Sequence, residues 1–268
     1  MNLWWNDPVE NNSLLPITES AARRAGALLS SRFGHAASGV SSKSTPTDLV
    51  SDADRAADEL LRRLISEARP GDSILTEESG ESGDGTSESG FRWIVDPLDG
   101  TINFLFGIPV WAISIGLEGP EGMAAGVVYD PNRDELFTAA RGEGAMLNGV
   151  SIRVNDRPEL GSALIGTGFS YDSRAREVQA SILSRVLPKV RDVRRGGSAA
   201  LDLCAVACGR LDGHYEAPLE LWDKAAGALI VREAGGVTSE LRGPLDQSDG
   251  LISAGPALHD QLRDLVLG

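Results

Sequence analysis

Between Thr18 and Phe33, apolar side chains fall at helical intervals, at Ala21, Ala22, Ala25, Leu28 and Leu29. That spacing predicts an amphipathic helix with Thr18 as its N-cap. A second helix is predicted over Asp54–Ala68 from Ala57, Leu60, Leu61, Leu64 and Ile65, and Pro70-Gly71 ends it. The polar stretch SSKSTPTDLVSDAD between them holds Lys43, Asp48, Asp52 and Asp54. Short apolar runs follow and predict strands at Ile74-Leu75, Trp93–Val95, Val110–Glu118, Met123–Tyr129 and Glu135–Ala140, separated by turns such as GPEG and DPNRDE. The segment Ser79–Gly90 is dominated by Gly, Ser and acids, and reads as a mobile loop that could serve as a lid. Further on, a strand is expected at Ser162–Gly168. Helices are expected at Arg176–Leu187, Ser198–Cys208, Asp223–Ala234 (closed by Gly235-Gly236) and about Ala257–Val266. Strands and helices alternate irregularly, which predicts an α/β chain of the layered α+β kind rather than a doubly wound sheet. The expected organisation is an N-terminal tail over 1–15 and a single domain over 16–268, with halves at about 16–150 and 151–268.

Charge narrows the partners. With 39 acidic residues against 25 Lys and Arg, the chain carries a formal net charge of −14. Such a surface repels nucleic acid and anionic membranes, so neither is an expected partner. A phosphate-bearing ligand would need local help from metal ions or backbone N–H groups. No apolar run reaches the ~18 residues of a membrane helix. The opening MNLWWNDPVENN lacks a basic n-region and an apolar h-region, so a cytoplasmic location is expected. Trp4 and Trp5 receive no role from the sequence. Cys204 and Cys208, four apart in an apolar helix, read as buried free thiols. A zinc site would need more ligands, and His35, His214 and His259 are the only histidines.

The chemistry concentrates in WIVDPLDGTINF, residues 93–104. Asp96 and Asp99 end one apolar strand, as Glu77 ends another, and strand ends deliver side chains to a shared crevice. Carboxylates gathered there repel one another unless a divalent cation sits among them, and oxygen-only donors suit Mg²⁺. Gly100 permits close backbone approach, and a helix starting at Thr101 would turn N–H groups toward an anion. Taken alone, Asp54 is a helix N-cap and Lys43 a surface lysine. Asp223, at the head of a helix, is either stabilised by the helix dipole or a metal ligand, and local reading leaves this open.

At this point several segments together resemble the inositol monophosphatase family of lithium-sensitive, Mg²⁺-dependent phosphatases. WIVDPLDGTINF resembles its first motif, LWDKAAGALIVREAGG its second, TEES its Glu-Glu metal element, and AGVVYDPNRDELFTAARGEGAMLNG the hairpin region between motifs. The likeness runs from about Thr18 to the last helix. It implies the αβαβα sandwich shared with fructose-1,6-bisphosphatase. It further implies a first Mg²⁺ on Glu77, Asp96 and the Leu98 carbonyl, a second on Asp96, Asp99 and Asp223, and a weaker third near Glu78. It gives Gly100 and Thr101 to phosphate, places Gly197, Ser198 and Ala199 of RGGSAA near the substrate, and gives Glu216 to substrate hydroxyls. Asp54 and Thr101, beside Glu77, would activate water. The implied reaction is hydrolysis of a phosphate monoester, foremost myo-inositol 1-phosphate, with Li⁺ as inhibitor and a homodimer as the assembly. Departures are few: Ile102 stands where Thr is frequent, and EAPLEL before Trp222 is distinctive in a loop that shapes the substrate pocket.

Within the superfamily, phosphatases of histidinol phosphate, fructose 1,6-bisphosphate and 3′-phosphoadenosine 5′-phosphate remain alternatives. A second phosphate would need a basic cluster, for which Arg191, Arg194 and Arg195 are candidates. A regulatory binding module on the same fold is a further alternative. A calcium domain lacks the DxDxDG…E spacing, and a P-loop NTPase lacks GxxxxGK[ST].

Overall fold

The computed structural model describes residues 9–35, 39–42, 49–82, 89–157 and 159–268. In chain order the elements are α1 (Val9–Ser30), β1 (Ser41–Ser42), β2 (Leu49–Val50), α2 (Asp52–Ala68), β3 (Ser73–Thr76), β4 (Gly80–Glu81), β5 (Arg92–Asp99), α3 (Thr101–Leu105), β6 (Ala112–Gly119), β7 (Gly122–Asp130), β8 (Glu135–Ala140), β9 (Ala145–Leu147) and β10 (Val150–Ser151). They continue with β11 (Leu164–Thr167), α4 (Ser173–Val186), β12 (Asp192–Arg194), α5 (Ala199–Ala207), β13 (Gly213–Glu216), α6 (Leu221–Glu233), β14 (Val237–Leu241), β15 (Gly250–Ala254) and α7 (Pro256–Leu267).

These pack as five layers. Helices α1 and α2 cover one face of a mixed eight-stranded sheet of order β10-β9-β8-β7-β6-β5-β3-β4. Helices α5 and α6 lie on its other face. They also back a five-stranded sheet of order β12-β11-β13-β15-β14, whose far side carries α4 and α7. The expected αβαβα sandwich is the arrangement observed. Three apolar clusters fill the spaces between layers, anchored by Trp93 and Ile115, by Phe137 and Ile230, and by Ile165 and Ile252.

Two local features position the site. In β5, Asp96 pairs with Ser114 and Asp99 with Ala112, so three steps on one strand meet two on the other. This bulge falls at Pro97, which has no N–H to give a ladder, and bulges re-aim the side chains around them. Without it, residues 96 and 99 would face opposite sides of the sheet. On the far side of the site, α6 rests directly on β7. A Cβ on Gly126 would lie 3.0 Å from the Ala226 carbonyl oxygen, so only glycine lets the helix settle at that depth.

Several expectations need correction. Thr18 does not cap a helix: α1 runs from Val9, across residues expected as tail, and the buried Thr18 hydroxyl donates to the Leu14 carbonyl one turn back, 2.9 Å. Helix α2 is capped by Ser51, and Asp54 is its third residue rather than its cap. Part of the expected loop after Ser79 is strand β4, paired with β3, while residues 83–88 lie outside the described residues. So do Trp4, Trp5, Lys43 and Asp48. Most of the second sheet was not anticipated, because β12 and β13 carry too few residues for a period to show.

Gly126→Val is expected to cost about 1–3 kcal/mol by overpacking. Urea unfolding checks this; unchanged stability would contradict the contact.

Candidate active site

A cavity of about 700 Å³ opens where the bulged end of β5 meets the N-termini of α5 and α6. Of the expected site residues, Glu77, Asp96, Leu98, Asp99, Gly100 and Thr101 line it from the large sheet. Gly197, Ser198, Ala199, Glu216 and Asp223 line it from the opposite side. Asp54 is reached through Thr101, and Glu78 is not among the lining residues.

Each group is held by an element with its own structural reason. Glu77 follows β3, which runs parallel to β5, and its N–H bonds the Val95 carbonyl at 3.2 Å, setting it beside Asp96. Asp96 Oδ1 accepts the N–H of Leu98 at 2.9 Å across the bulge. Gly100 stands at φ +100°, and a Cβ there would approach the Val110 carbonyl oxygen to 2.9 Å. Glycine is thus required both by conformation and by space. Asp99 Oδ2 accepts from Ser198 Oγ at 2.5 Å and from the Ala200 N–H at 2.7 Å, so the start of α5 grips it. Ser198 is also the N-cap of α5 through Leu201 N–H. Asp223 is the third residue of α6, and its Oδ2 accepts the Glu220 N–H at 2.7 Å in a capping box.

Thr101 and Asp54 form a pair. Thr101 Oγ1 donates to Asp54 Oδ1 at 2.8 Å and lies 3.1 Å from the Leu98 carbonyl. Asp54 Oδ2 meanwhile accepts the Ser51 N–H at 2.9 Å, closing the capping box of α2. One carboxylate therefore serves the helix with one oxygen and the cavity-lining threonine with the other.

The electrostatics are out of balance. Burial, then the charges of Glu77, Asp99 and Asp223, hold the Asp96 carboxyl well above the ordinary carboxylate value. Asp223 is raised in the same way, by burial and then by Glu77 and Asp99. Asp99 is pushed up to about 7 by burial, although the Ser198 and Ala200 hydrogen bonds pull it down. The leading influences on all three are burial and neighbouring carboxylates, with no cation among them. Among the described residues, no three such side chains are drawn in tightly enough to hold an ion as they stand. The donor set nevertheless fits a hard divalent cation: oxygen atoms only, most of them from carboxyl groups, buried and crowded together.

Sequence reasoning missed some of the surroundings. Asn103 Nδ2 donates to the Val110 and Gly196 carbonyls at 2.8 and 3.0 Å, tying α3 to the loop of Gly197. Asp202, one turn into α5, is pushed up to about 6, chiefly by burial. Asp172, Glu220 and Gln247 also line the cavity, brought there by loops of the second sheet. Of the three arginines weighed for a second phosphate, only Arg195 lines it. Arg194 turns to Asp192 at 2.6 Å and Arg191 to the Ser162 carbonyl at 2.8 Å. Cys204 is buried and Cys208 half-buried, both as free thiols.

Comparison with known proteins gives a consistent answer. The family model for the inositol monophosphatase family matches residues 10–266. An inositol-1-monophosphatase from Mesorhizobium japonicum is 46% identical over 247 residues, covering 91% of this chain and 92% of that one. A protein named Nus factor SuhB, from Pasteurella multocida, is 39% identical over 258 residues, covering 95% and 96%. The crystal structure of extragenic suppressor protein suhB from Bartonella henselae superposes with a TM-score of 0.88 at 41% identity, covering 95% of this chain and 98% of that one.

The raised carboxyls make a pH signature. In the metal-free fold Asp96 and Asp99 keep protons that the unfolded chain gives up near 3.8, so both groups withdraw stability as pH rises above about 4, Asp99 through about 7. Asp96→Asn is therefore expected to raise the metal-free Tm by several degrees at pH 8, with the gain vanishing near pH 4. Saturating Mg²⁺ is expected to reverse the order at pH 8. A pH-independent difference between the two proteins would contradict the assignment.

Proposed function

The chain belongs to the inositol monophosphatase family, and from that premise we propose that it hydrolyses myo-inositol 1-phosphate to inositol and inorganic phosphate with Mg²⁺. That it is a phosphoric monoester hydrolase follows from its family and its relatives. The observation that carries the finer reading is the buried, mutually repelling set of carboxylates beside the paired Thr101 and Asp54. Glu77, Asp96 and the Leu98 carbonyl would hold one ion and Asp96, Asp99 and Asp223 a second, with Glu78 toward a weaker third. When bound, Mg²⁺ supplies Lewis acidity at the phosphoryl oxygens and lowers the pKa of coordinated water.

The chain's own groups do the remainder. With its proton donated to Asp54, the Thr101 hydroxyl offers lone pairs to a water and orients it toward phosphorus. The water's proton passes to this pair as its oxygen bonds to phosphorus and the ester P–O bond breaks. The departing alkoxide takes up a proton from solvent to become the free alcohol, and the Thr101–Asp54 pair returns the water's proton to solvent. Backbone N–H groups at Gly100 and Thr101, at the head of α3, would accept charge spreading onto the phosphoryl oxygens. The loop of Gly197, Ser198 and Ala199 bounds the substrate, and Glu216 offers an acceptor to its hydroxyls.

Monophosphates are favoured over bisphosphates because Arg195 is joined in the outer cavity by Asp172, Glu216 and Glu220. These acids also keep an amino alcohol such as histidinol in play, so a substrate panel is the decisive comparison. Inhibition by Li⁺, a homodimeric assembly and a cytoplasmic location belong to the same reading. Among the described residues, no helix is long and apolar enough to cross a membrane. The relatives named Nus factor SuhB support a second reading, a regulatory binding role on this fold.

With Mg²⁺ and a panel of inositol, histidinol, fructose and 3′-phosphoadenosine phosphates, turnover is expected to be highest on myo-inositol 1-phosphate. It is expected to vanish with chelator and to fall with Li⁺. Asp54→Asn is expected to lower kcat by about 10²–10⁴-fold at little change in KM. Brisk release from histidinol phosphate without release from the inositol ester would overturn the substrate. No turnover on any ester would favour the binding role.

A further inference from the structure

Beneath Glu216 lies a histidine that this reaction does not use. His214 and Glu216 are two residues apart on β13, so both side chains leave the same face of the small sheet. His214 is fully buried, and its Nε2 stands 3.2 Å from Glu216 Oε2. In the tautomer that makes this contact a hydrogen bond to a carboxylate oxygen, Nε2 donates and Oε2 accepts. The other ring nitrogen, Nδ1, has no partner among the described residues. Ser253, directly opposite His214 in the antiparallel ladder, carries a buried hydroxyl likewise without one. Paired residues project from the same face, so these two polar atoms share one side of the sheet.

Glycines on β11 and just beyond it make the room. A Cβ on Gly166 would fall 3.1 Å from the imidazole Cδ2 and 3.7 Å from the Asp202 carboxyl carbon, so ring and acid share the space that glycine leaves. A Cβ on Gly168 would overlap the Glu216 carboxylate itself. Glu216 is therefore clamped, with Gly168 on one side and His214 on another. Asp202, beyond the ring, accepts a backbone hydrogen bond from Gly196, in the loop that brings Gly197 and Ser198 to the cavity. Burying an imidazole costs desolvation that an aromatic ring of similar size would avoid, so packing alone does not account for a histidine here.

We propose that His214 is the positioning residue for Glu216, donating from Nε2 to Oε2 and leaving Oε1 to receive a hydroxyl of the bound polyol. The proposal rests on the assignment of Glu216 to substrate hydroxyls, and it makes polyol recognition depend on a residue that never touches substrate. His214 then acts on binding of the alcohol and leaves phosphoryl chemistry alone.

The test compares myo-inositol 1-phosphate with p-nitrophenyl phosphate, an ester without hydroxyls, both with saturating Mg²⁺. His214→Phe is expected to raise KM for the inositol ester about ten-fold, the scale of one charge-assisted hydrogen bond, with kcat held within about two-fold. Both constants for p-nitrophenyl phosphate are expected to stay at wild-type values, which also reports an intact fold. His214→Gln, whose amide nitrogen can reach the place of Nε2, is expected to recover most of the lost affinity. Gly168→Ala, which pushes the carboxylate from the other side, is expected to reproduce the His214→Phe pattern. Equal losses on both esters, or a Gln variant no better than Phe, would overturn the proposal. A wild-type protein that shows no preference for the inositol ester would overturn the Glu216 assignment beneath it. A preference that survives His214→Phe would overturn the role of His214 alone.

Discussion

Mutual repulsion among buried carboxylates is the constraint around which this molecule is arranged. Asp96, Asp99 and Asp223 are withdrawn from water and raise one another's proton affinity, with Glu77 adding to the effect. A fold optimised only for stability would not gather them, because each buried anion without a partner costs several kcal/mol. The bulge at Pro97 is what turns Asp96 and Asp99 into one cavity, and the glycine contact of Gly126 is what lets α6 bring Asp223 up from far along the chain. A divalent cation bound among these oxygens would convert the repulsion into attraction.

The acids are tolerated without metal because helix starts converge on them. Asp54 sits in the first turn of α2 and Asp223 in the first turn of α6, each as the acid of a capping box. Asp99 receives an N–H from the first turn of α5, and Gly100 opens α3. A helix N-terminus carries partial positive charge and unsatisfied N–H groups. Three of these ends, of α3, α5 and α6, open on the crevice, with that of α2 behind Thr101; they offset part of the negative charge and also suit a phosphate. Under the proposed roles, catalytic and structural duties fall on the same side chains. Asp54 splits them oxygen by oxygen, with Oδ2 for the Ser51 N–H and Oδ1 for Thr101.

How much of this was legible varies with the range of the interaction. Glu77, Asp96 and Asp99 could be read because each sits at the end of an apolar run, where strand ends face a common crevice, and Thr101 because Gly100 before it marks a helix start. The motif resemblance then supplied Asp223 and Glu216, which no local signal ties to them. Reading Asp54 as a cap came close: Ser51 beside it is the cap, and the acid answers to it three residues on. Thr18 misled because a hydroxyl satisfied inside a helix looks in sequence like one that begins it. Asp202 and His214 were invisible as site neighbours, since their meaning comes from glycines at 166 and 168 that make room across a parallel pair of strands. Strands β12 and β13 are too short for a period, and only the tertiary layer defines them.

The central claim is that Mg²⁺ and protons compete for one buried set of carboxylates. Isothermal titration of metal-free protein with Mg²⁺ at pH 7, repeated in buffers of different ionisation enthalpy, counts the protons exchanged on binding. The account predicts proton release as the metal displaces protons held among Asp96, Asp99 and Asp223, and a smaller release in Asp96→Asn. Mg²⁺ binding with the same heat in every buffer, and hence no proton exchanged, would contradict it.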